Sequence, residues 1–425
     1  MTFGTIAVVG LGYIGLPTAA VFASRKRKVI GIDVNTHAVE TINRGEVHIV
    51  EPDLDMLVHA AVTEGYLRAT TVAEPADAFL IAVPTPFNAN HEPDLSYIES
   101  ASKAIAPVLK AGDLVILEST SPVGATERMA AWLAEARPDL TFPQTAGEAS
   151  DIRIAHCPER VLPGHVLSEL VHNDRVIGGM TPRCSEVATS LYKIFVEGEC
   201  VITNARTAEM CKLTENSFRD VNIAFANELS MVCDKLDVDV WELIRLANRH
   251  PRVNILQPGP GVGGHCIAVD PWFIVSQAPE QSRLIRTARE VNDSKPAWVL
   301  AKVRSHIDDL IASTGKTRSS IRIACLGLAF KANIDDLRES PALAITLELG
   351  RLYPGQIVAV EPHIASTPAP LLAADIQLAE LSVALEADVL VLLVDHKVFA
   401  AQALQPRQDQ RLLDTRGFFG CATFS

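Results

Sequence analysis

The stretch TIAVVGLGYIG, residues 5–15, decides the fold of the N-terminal third of the chain. Its first residues form a short β-branched run ending in glycine, which is typical of a strand buried on both faces of a parallel sheet. Gly10, Gly12 and Gly15 follow with the spacing G-x-G-x-x-G, before the apolar helical pattern LPTAAVFAS. In such a fingerprint the first glycine permits a tight turn, the second lets a pyrophosphate approach the backbone, and the third lets helix and strand pack closely.

A second β-rich run, KVIGID, ends in Asp33, eighteen residues after Gly15. An acid at that distance bonds the ribose 2′-hydroxyl of a dinucleotide, and its charge repels a 2′-phosphate. The backbone N–H groups of Tyr13 and Ile14 lie where the helix begins, a position that favours phosphate binding. A glycine-rich turn without a ligand is the alternative. Because strand, fingerprint, helix, second strand and acid occur in order, we predict an NAD site.

The composition limits the classes of partner. The length of 425 residues suggests about two or three domains. A hydrophobic content of 48% with 21% charged residues is typical of a well-buried globular protein. The net charge of -13 argues against nucleic-acid or anionic-membrane surfaces, because both require a basic face.

Eight cysteines are scattered along the chain without a C-x-x-C pair, so the sequence predicts no zinc ribbon and no metal site. Cysteines spaced in this way suit a reducing compartment. The first residues lack the pattern of a signal peptide, and the apolar runs are shorter than the roughly 20 residues that span a bilayer. We therefore expect a cytoplasmic protein.

Threonines follow two further predicted strands. The strand in ADAFLIAVPTPF is predicted to end at Val83, with Thr85 beyond it, and the strand in GDLVILESTSPVGAT at Thr120, with Thr126 beyond it. In an open parallel sheet the ligand crevice lies at the carboxyl ends of the strands. These hydroxyls could instead cap the following helices, and one hydroxyl can do both.

Residues 204–235 contain neither proline nor glycine and predict a long helix. Lys212, Asn216 and Arg219 have the spacing i, i+4, i+7, which aligns them in a stripe about 60° wide. Such a stripe is most often a solvated face. Three strong hydrogen-bonding groups in line make a ligand-lining face the competing interpretation.

The loop GPGVGGHCIAVDP, residues 259–271, holds Cys266 and Asp270 among four glycines. Two arginines and a histidine at 249–252 precede it, and positive charge of this kind is expected to lower the pKa of the thiol. A structural role remains open for both residues, Cys266 as a buried hydrophobe and Asp270 as a helix N-cap. The glycines favour a thiol that a ligand can approach.

The C-terminal third repeats the α/β pattern of the beginning. A helical connector at 283–313, with Pro296 opening its second part, precedes SIRIACLGLAFK, where GLAFK replaces the glycine fingerprint. Strands are predicted in GQIVAVEP, ADVLVLLVD and RLLDTRG. Lys331, Arg338 and Arg416 follow strand ends, where cations could bind the diphosphate of a nucleotide sugar.

The order of the motifs GLGYIG, VPTP, ESTSPVG, CPER, KLTEN, GPGVGGHC, GLAFK and DDLRES resembles that of the UDP-glucose/GDP-mannose dehydrogenases from end to end. Within the family, CPERVLPG and GGHCIAVDPW are similar to the N-acetylhexosamine branch, above all to bacterial enzymes that oxidise UDP-N-acetyl-D-mannosamine. Val269 stands where UDP-glucose dehydrogenases typically have lysine, which moves the expected substrate away from glucose.

The resemblance implies a four-electron oxidation at C6 of UDP-N-acetyl-D-mannosamine to the uronate, with two NAD used in sequence. A cysteine thiolate adds to the intermediate aldehyde, and the thiohemiacetal is oxidised to a thioester that water cleaves. The uronate would serve bacterial surface polysaccharides of the enterobacterial common antigen type. Gly263 and Gly264 would let the sugar approach Cys266.

The resemblance also assigns site residues by position. Cys266 is the nucleophile, Asp270 handles its proton or water, and Lys212 with Asn216 stabilises the oxyanion, Lys212 also moving a proton. The positions expected to hold or activate water are Thr120 and Glu159.

The binding positions that the resemblance implies fall into two sets. Those for NAD are Gly10, Gly12, Tyr13, Ile14, Gly15, Asp33, Thr85, Thr126 and Arg338. Those for the nucleotide sugar are Arg160, Val161, Lys212, Asn216, Arg219, His250, Arg252, Gly263, Phe330, Lys331 and Arg416. Arg252 is of a kind that reaches into a neighbouring subunit, which implies a homodimer or larger homo-oligomer.

We therefore predict an α/β fold with two Rossmann-like, doubly wound parallel-sheet domains joined by a long central helix and helical region. An NAD-binding domain is expected at 1–200, a central region with the dimer contacts and the cysteine loop at 201–315, and a nucleotide-sugar-binding domain at 316–425.

Two alternatives stay open. The same chemistry could act on UDP-N-acetylglucosamine, UDP-glucose or GDP-mannose, because epimers can differ by only a few kcal/mol in a tolerant pocket. The chain could also be a silent sensor that binds NAD and a nucleotide sugar. The retention of Cys266, Lys212, Asn216 and Asp270 argues against a silent protein.

Overall fold

The computed structural model describes residues 3–88, 90–162, 164–264, 266–401 and 407–419. The chain divides into two compact units. The first comprises Met1–Glu215 with Trp272–Gln277, and the second Asn216–Pro271 with Ala278–Ser425. The three predicted segments stay a prediction. His265 of the GGHC motif and the tail GCATFS lie outside the described residues.

The described part of the first unit contains one eight-stranded sheet and the helices that cover it. Its strands are β1 (Thr5–Val9), β2 (Lys28–Ile32), β3 (Leu67–Thr70), β4 (Ala78–Ile81), β5 (Leu114–Leu117), β6 (Arg153–His156), β7 (Arg175–Gly179) and β8 (Cys200–Asn204). Its helices are α1 (Gly15–Ser24), α2 (Thr36–Asn43), α3 (Leu54–Thr63), α4 (Ser96–Ile105), α5 (Ala125–Ala136), α6 (Pro143–Ala146), α7 (Val166–His172) and α8 (Pro182–Tyr192).

The strand order of this sheet is β3-β2-β1-β4-β5-β6-β7-β8. Its first six strands have the doubly wound order 3-2-1-4-5-6, which confirms the Rossmann-like prediction. The pair β6 and β7 is antiparallel, whereas β1 pairs in parallel with both β2 and β4. The strand order therefore runs outward from β1 in both directions, to β2 and β3 on one side and to β4 and β5 on the other. The ligand crevice of such a sheet lies at the carboxyl ends of the strands at this point.

Alternation along β1 creates a core on each face of the sheet. Ile6 and Val8 pack with the side chains of α1 and α3, whereas Ala7 and Val9 pack with those of α4 and α5. These four residues of β1 are all buried, which explains why the strand is a continuous apolar run rather than an alternating one.

A 32-residue helix, α9 (Ala205–Leu236), begins in the first unit and continues in the second. It matches the prediction of a helix at 204–235 to within one residue at each end. The helices that follow are α10 (Val240–Ala247), α11 (Asp270–Gln277), α12 (Arg283–Thr314), α13 (Pro341–Leu352), α14 (Ala369–Ala373) and α15 (Leu381–Ala384).

The second unit contains a five-stranded sheet in its described part. Its strands are β9 (Ile323–Leu326), β10 (Ile357–Val360), β11 (Gln377–Leu378), β12 (Val389–Leu392) and β13 (Arg411–Asp414), in the order β11-β10-β9-β12-β13. All four neighbouring pairs are parallel, which confirms the second Rossmann-like sheet. One face packs on α12 and α13, and the other on α15 and Phe399.

Pro296 lies inside α12 and does not open a new helix, contrary to the prediction. The proline lacks only one backbone donor, and the helix continues because the flanking apolar residues stay packed. Ala288, Val299 and Val303 are buried on either side of it.

Among the described residues we find no helix with the length and apolar character that a bilayer crossing requires. The cytoplasmic location stays a prediction.

Candidate functional site

The three fingerprint glycines differ in their surroundings. Gly10 has a positive φ of 90°, and a methyl group there would lie 2.7 Å from the carbonyl oxygen of Ala82. A methyl group on Gly15 would overlap the carbonyl of Gly10, so this glycine lets α1 pack closely. Gly12 has no atom of the described chain within 4 Å of the equivalent position. The space over Gly12 is therefore available to a ligand.

The start of α1 suits an anion. Within the described residues no side chain caps this helix, and its first turn carries no acidic residue. Asp33, at the end of β2, accepts hydrogen bonds from the backbone N–H of Leu11 at 2.8 Å and from that of Asn35 at 2.8 Å. The acid is therefore held beside the glycine turn, as the sequence predicts for a ribose ligand.

The carboxyl ends of β4 and β5 are joined by side-chain hydrogen bonds. The hydroxyl of Thr85 donates to the carbonyl of Thr120 at 2.5 Å, and that of Ser119 to the carbonyl of Val83 at 2.7 Å. The structure thus brings Thr85 and Thr120 together. Both strands end earlier than the predicted Val83 and Thr120, at Ile81 and Leu117, and the side-chain bonds join the segments that follow them.

Thr126 has a buried partner that the sequence did not predict. Its hydroxyl and its backbone N–H both donate to Glu209 Oε1, at 2.6 and 2.8 Å, and the N–H of Gly124 donates to Glu209 Oε2 at 2.6 Å. A carboxylate thus caps the start of α5, although burial raises the pKa of Glu209. Thr126 itself is fully buried, and its contact with NAD stays a prediction.

Glu159 lies largely buried after β6. Its Oε1 accepts from the backbone N–H of Arg160 at 2.7 Å, and its Oε2 lies 2.9 Å from the guanidinium of Arg175 on β7. Arg160 forms an ion pair with Glu215 at 2.6 Å, and Val161 packs partly buried against the first core. No motif in the sequence indicates Arg175.

The stripe on α9 is not a uniformly solvated face. Lys212 is half-buried, Asn216 is 5% exposed, and Arg219 is exposed. Asn216 Nδ2 donates to Asp270 Oδ2 at 2.5 Å, and Asp270 is 3% exposed. The helix and the cysteine loop therefore bring two predicted catalytic residues into direct contact.

Cys266 is exposed, which excludes the buried-hydrophobe interpretation. Its carbonyl accepts from the N–H groups of Val269 at 3.1 Å and Asp270 at 2.9 Å, so the thiol lies on the turn that leads into α11. Asp270 is the first residue of that helix.

The glycines of the cysteine loop have close neighbours that the sequence did not predict. A methyl group on Gly263 would overlap the carbonyl of Glu339, and one on Gly264 would lie 3.0 Å from the ring of Phe330. Gly264 also has a φ of 83°. These glycines therefore let the segment that carries Phe330 approach the loop, and their part in sugar access stays a prediction.

Further predicted binding residues, Arg338 for NAD and the others for the substrate, lie in the segments after β9, after β13 and after α10. Arg416 donates to the carbonyl of Pro258 at 3.2 Å and to Asp395 at 2.9 Å. Arg338 forms an ion pair with Asp336 at 2.5 Å. The side chain of Lys331 is exposed. His250 and Arg252 are exposed as well, and His250 Nδ1 accepts from the N–H of Arg252 at 3.3 Å.

The second sheet has a buried acid where the first has Asp33. Glu361, after β10, accepts from the N–H groups of Leu328 at 2.8 Å and Ala329 at 3.0 Å, and its Oε2 lies 3.1 Å from His396 Nε2. Burial opposes ionisation, but the hydrogen bonds from His396 and Leu328 lower the pKa of Glu361. The sequence did not predict this pair, because both partners lie in apolar strand ends.

The described residues contain no cluster of three or more histidine, cysteine or acidic side chains that could hold a metal ion. The site residues are hydrogen-bonding groups, cations and one thiol.

Comparison with known proteins gives matches along the whole chain. Three family models match in order: the NAD binding domain of the UDP-glucose/GDP-mannose dehydrogenase family at residues 4–196, its central domain at 206–294 and its UDP binding domain at 324–420.

Individual relatives cover nearly the full length. The chain is 67% identical to UDP-N-acetyl-D-mannosamine dehydrogenase of Yersinia pestis, over 98% of this chain and 99% of that protein. It is 66% identical to NDP-N-acetyl-D-galactosaminuronic acid dehydrogenase of Ralstonia nicotianae, over 98% of this chain and 96% of that protein. A solved UDP-D-ManNAc dehydrogenase from Pyrococcus horikoshii has a TM-score of 0.87 at 38% identity, covering 99% of this chain and 97% of that one.

The family models place an NAD binding domain in the first unit and a UDP binding domain in the second, while the contact of the glycine turn and Asp33 with NAD stays a prediction. With its three domain models matched in order and its relatives aligned almost from end to end, the chain belongs to the UDP-glucose/GDP-mannose dehydrogenase family, whose members are NAD-dependent enzymes.

Proposed function

We propose that this enzyme oxidises UDP-N-acetyl-D-mannosamine at C6 to the uronate in two NAD-dependent steps. The observation that carries the chemistry is the exposed thiol of Cys266 in the glycine loop. The loop leads directly to Asp270, which is buried and hydrogen-bonded to Asn216 of α9. The sugar is favoured by the 67% identity to the Yersinia pestis protein. The uronate would serve surface polysaccharides of the enterobacterial common antigen type.

NAD accepts the hydride of each oxidation step. Lys212 takes the proton of the C6 alcohol as the aldehyde forms, directly or through a water. The thiolate of Cys266 then adds to the aldehyde carbon, and loss of the second hydride from the thiohemiacetal leaves a thioester. Water that Thr120 and Glu159 hold attacks the thioester, and the C–S bond breaks. Cys266 is regenerated as the thiolate, and the uronate is released.

Asn216 has a double task in this proposal. One N–H of its amide donates to Asp270, which fixes the carboxylate that handles the proton of Cys266 or the attacking water. The second amide N–H can donate to the oxyanion of the thiohemiacetal together with Lys212. The amide of Asn216 would therefore contact both the carboxylate of Asp270 and the oxyanion of the thiohemiacetal.

The identity of the sugar is the finer question. The Ralstonia relative, at 66% identity, bears a name with a galactosaminuronic acid. UDP-N-acetylgalactosamine therefore joins UDP-N-acetylglucosamine, UDP-glucose and GDP-mannose as an alternative substrate. A panel of these nucleotide sugars, compared by kcat/KM, identifies the substrate. A lower kcat/KM for UDP-N-acetyl-D-mannosamine than for any of the others would reject the proposed sugar.

The stoichiometry tests the mechanism. We expect two NADH and one uronate per sugar from the wild-type enzyme, and no uronate from Cys266→Ala. Cys200→Ala, a half-buried thiol on the edge strand β8, is the matched control and should keep the wild-type rate. Uronate formed by Cys266→Ala at the wild-type rate rejects the covalent mechanism. Tight binding of both ligands without any NADH would instead favour a sensor.

We also propose that the enzyme acts as a homodimer or larger homo-oligomer, with Arg252 reaching a neighbouring site. The exposure of Arg252 and of a row of apolar side chains on α9 supports this proposal.

A further inference from the structure

Glu118, Arg175 and Glu159 form a buried charge cluster in the first unit. Glu118, directly after β5, accepts from the hydroxyl of Tyr192 at 2.8 Å, and its Oε1 lies 3.9 Å from Nη1 of Arg175. The second guanidinium nitrogen of Arg175 lies 2.9 Å from Glu159. The guanidinium also stacks over the ring of Tyr192, 4.7 Å from its centroid, and contacts Cys157. Two carboxylates therefore share one cation.

The cluster has almost no access to water. Glu118 is 1% exposed, Arg175 4% and Glu159 8%. Within the described residues, Glu118 Oε2 has no hydrogen-bond partner. A buried carboxylate with an unsatisfied oxygen is costly, so a second negative charge here is held only weakly.

The groups that face Glu118 are Arg175 from β7, Cys157 and Glu159 from the segment after β6, and Tyr192 from α8. Burial raises the pKa of the Cys157 thiol to about 12 and that of the Tyr192 hydroxyl well above its usual value. Although burial opposes it, the neighbouring anions raise the pKa of Arg175, which stays charged.

Glu118 is therefore the member that changes charge. Burial raises its pKa to about 7; Arg175 opposes this rise, and the charge of Glu159 adds to it. Near neutral pH the cluster alternates between a balanced pair and a net charge of minus one.

We propose that Glu118 is a positioning residue for Glu159 and acts through Arg175, so that the protonation state of Glu118 decides how tightly the guanidinium holds the Glu159 carboxylate. With Glu118 protonated, Arg175 is directed to Glu159 alone and holds its carboxylate firmly. With Glu118 ionised, the guanidinium is shared between two carboxylates and holds that of Glu159 less firmly, so that Glu159 can turn to the water. The inference rests on the proposed function only in that Glu159 holds or activates water.

The variant Glu118→Gln tests this coupling through a pH profile. Glutamine keeps the size of the side chain but leaves Arg175 to Glu159 at every pH. We expect wild type and variant to have the same kcat/KM at pH 6, and the wild type to be faster by about tenfold at pH 8.5, which is less than the roughly 10²- to 10⁴-fold that general acid–base catalysis contributes in full. KM for the nucleotide sugar should not change. A ratio that stays constant from pH 6 to 8.5 overturns the inference and leaves the proposed function standing.

Tyr192→Phe is the second variant. Its hydroxyl favours the ionised form of Glu118, so without it Glu118 keeps its proton to a higher pH. The rise in rate should shift to higher pH while its plateau is kept. A rise at the wild-type pH would contradict the assignment.

A double-mutant cycle and a spectrum separate this inference from the proposed function. If Glu118 acts through Glu159, adding Glu118→Gln to Glu159→Gln causes no further loss of rate. Wild-type rates in Glu159→Gln alone would instead overturn the role of Glu159 in the proposed function. Infrared difference spectra between pH 6 and pH 8.5 should show a buried protonated carboxyl band that Glu118→Gln lacks. Its absence from the wild type overturns the inference without reference to activity.

Discussion

At the scale of single residues, Gly12 and Gly15 lie three positions apart and carry different constraints. Gly15 borders the carbonyl of Gly10, whereas Gly12 borders open space. The spacing in the sequence predicted both roles, because a glycine fingerprint followed by an acid has few other physical explanations.

Alanine substitutions should separate these roles. Gly15→Ala forces a methyl group into the backbone of Gly10, and we expect a loss of soluble folded enzyme or a large drop in its unfolding midpoint. Gly12→Ala should fold with wild-type stability, within about 0.5 kcal/mol, and raise KM for NAD because the methyl group occupies the ligand space. Thermal unfolding and initial rates measure both. A normal KM for NAD in Gly12→Ala would contradict the placement of the pyrophosphate.

Glu118 also predicts a pH effect on stability. Its pKa, raised from 4.5 to about 7, means that the folded chain binds more protons than the unfolded chain between these values. The free energy of unfolding therefore decreases from this group as the pH rises through that window. Glu118→Gln lacks the effect, so relative to wild type it should gain about 1–3 kcal/mol between pH 4 and pH 8. Urea unfolding at both pH values measures the gain, and equal differences at both would contradict it.

Several buried partners could not be predicted from sequence. Arg175, Glu209 and the pair Glu361 with His396 are single polar residues in apolar or helical runs, far along the chain from the groups they bind. Their positions depend on which strands become neighbours, and local patterns do not contain that information. Cys266 could be predicted because two neighbouring glycines mark its loop.

At the scale of elements, α9 carries a row of exposed apolar side chains in the second unit. Phe218 is 68% exposed, Phe225 55% and Leu236 66%, and Val232 lies between the last two. The spacing of 7, 7 and 4 residues keeps them on one side of the helix. A continuous apolar row of this kind is typical of a helix that packs against a partner.

Phe225→Asp should therefore weaken the proposed homo-oligomer. A charge in the centre of the row opposes burial against a second copy, and we expect a smaller particle in sedimentation at micromolar concentration. Val383→Asp, at an exposed apolar position on α15, is the matched control and should keep the wild-type mass. If both variants sediment as wild type does, the row is not the subunit contact.

Element positions were predicted more accurately for helices than for strand ends. The boundaries of α9 follow from an uninterrupted helical run, whereas β4 and β5 end before the predicted residues, and Ser119 and Thr85 join the segments after them through side-chain bonds. Side-chain bonds of this kind depend on a neighbouring strand, so the sequence pattern around one strand does not contain them.

At the scale of the whole molecule, the chain has two compact units with two ligand classes. The repeated α/β pattern predicted both sheets. It did not predict the division at Glu215, because that boundary falls inside α9, where no break in the sequence marks it.

Each ligand should stabilise the chain independently of the other. At 100 times its dissociation constant, a ligand adds about 2.7 kcal/mol to the free energy of unfolding. Gly12→Ala should lose this gain with NAD and keep it with UDP, and Lys331→Ala should show the reverse. Calorimetry with each ligand alone measures the four shifts. A variant that loses both gains would contradict the assignment of one ligand to each sheet.

The burial and hydrogen bonding of the Glu361 carboxylate have a consequence for competition between NADH and the nucleotide sugar. Its Oε2 contacts Leu328, Ala329 and His396, its Oε1 accepts from the N–H of His363, and the residue is 5% exposed, so we expect it to bind an adenosine ribose less readily than Asp33 does. NADH that accumulates during turnover should therefore compete with NAD and not with the nucleotide sugar, which product-inhibition kinetics would measure. The two sheets have similar strand orders, and the different surroundings of Asp33 and Glu361 would let each sheet bind its own nucleotide.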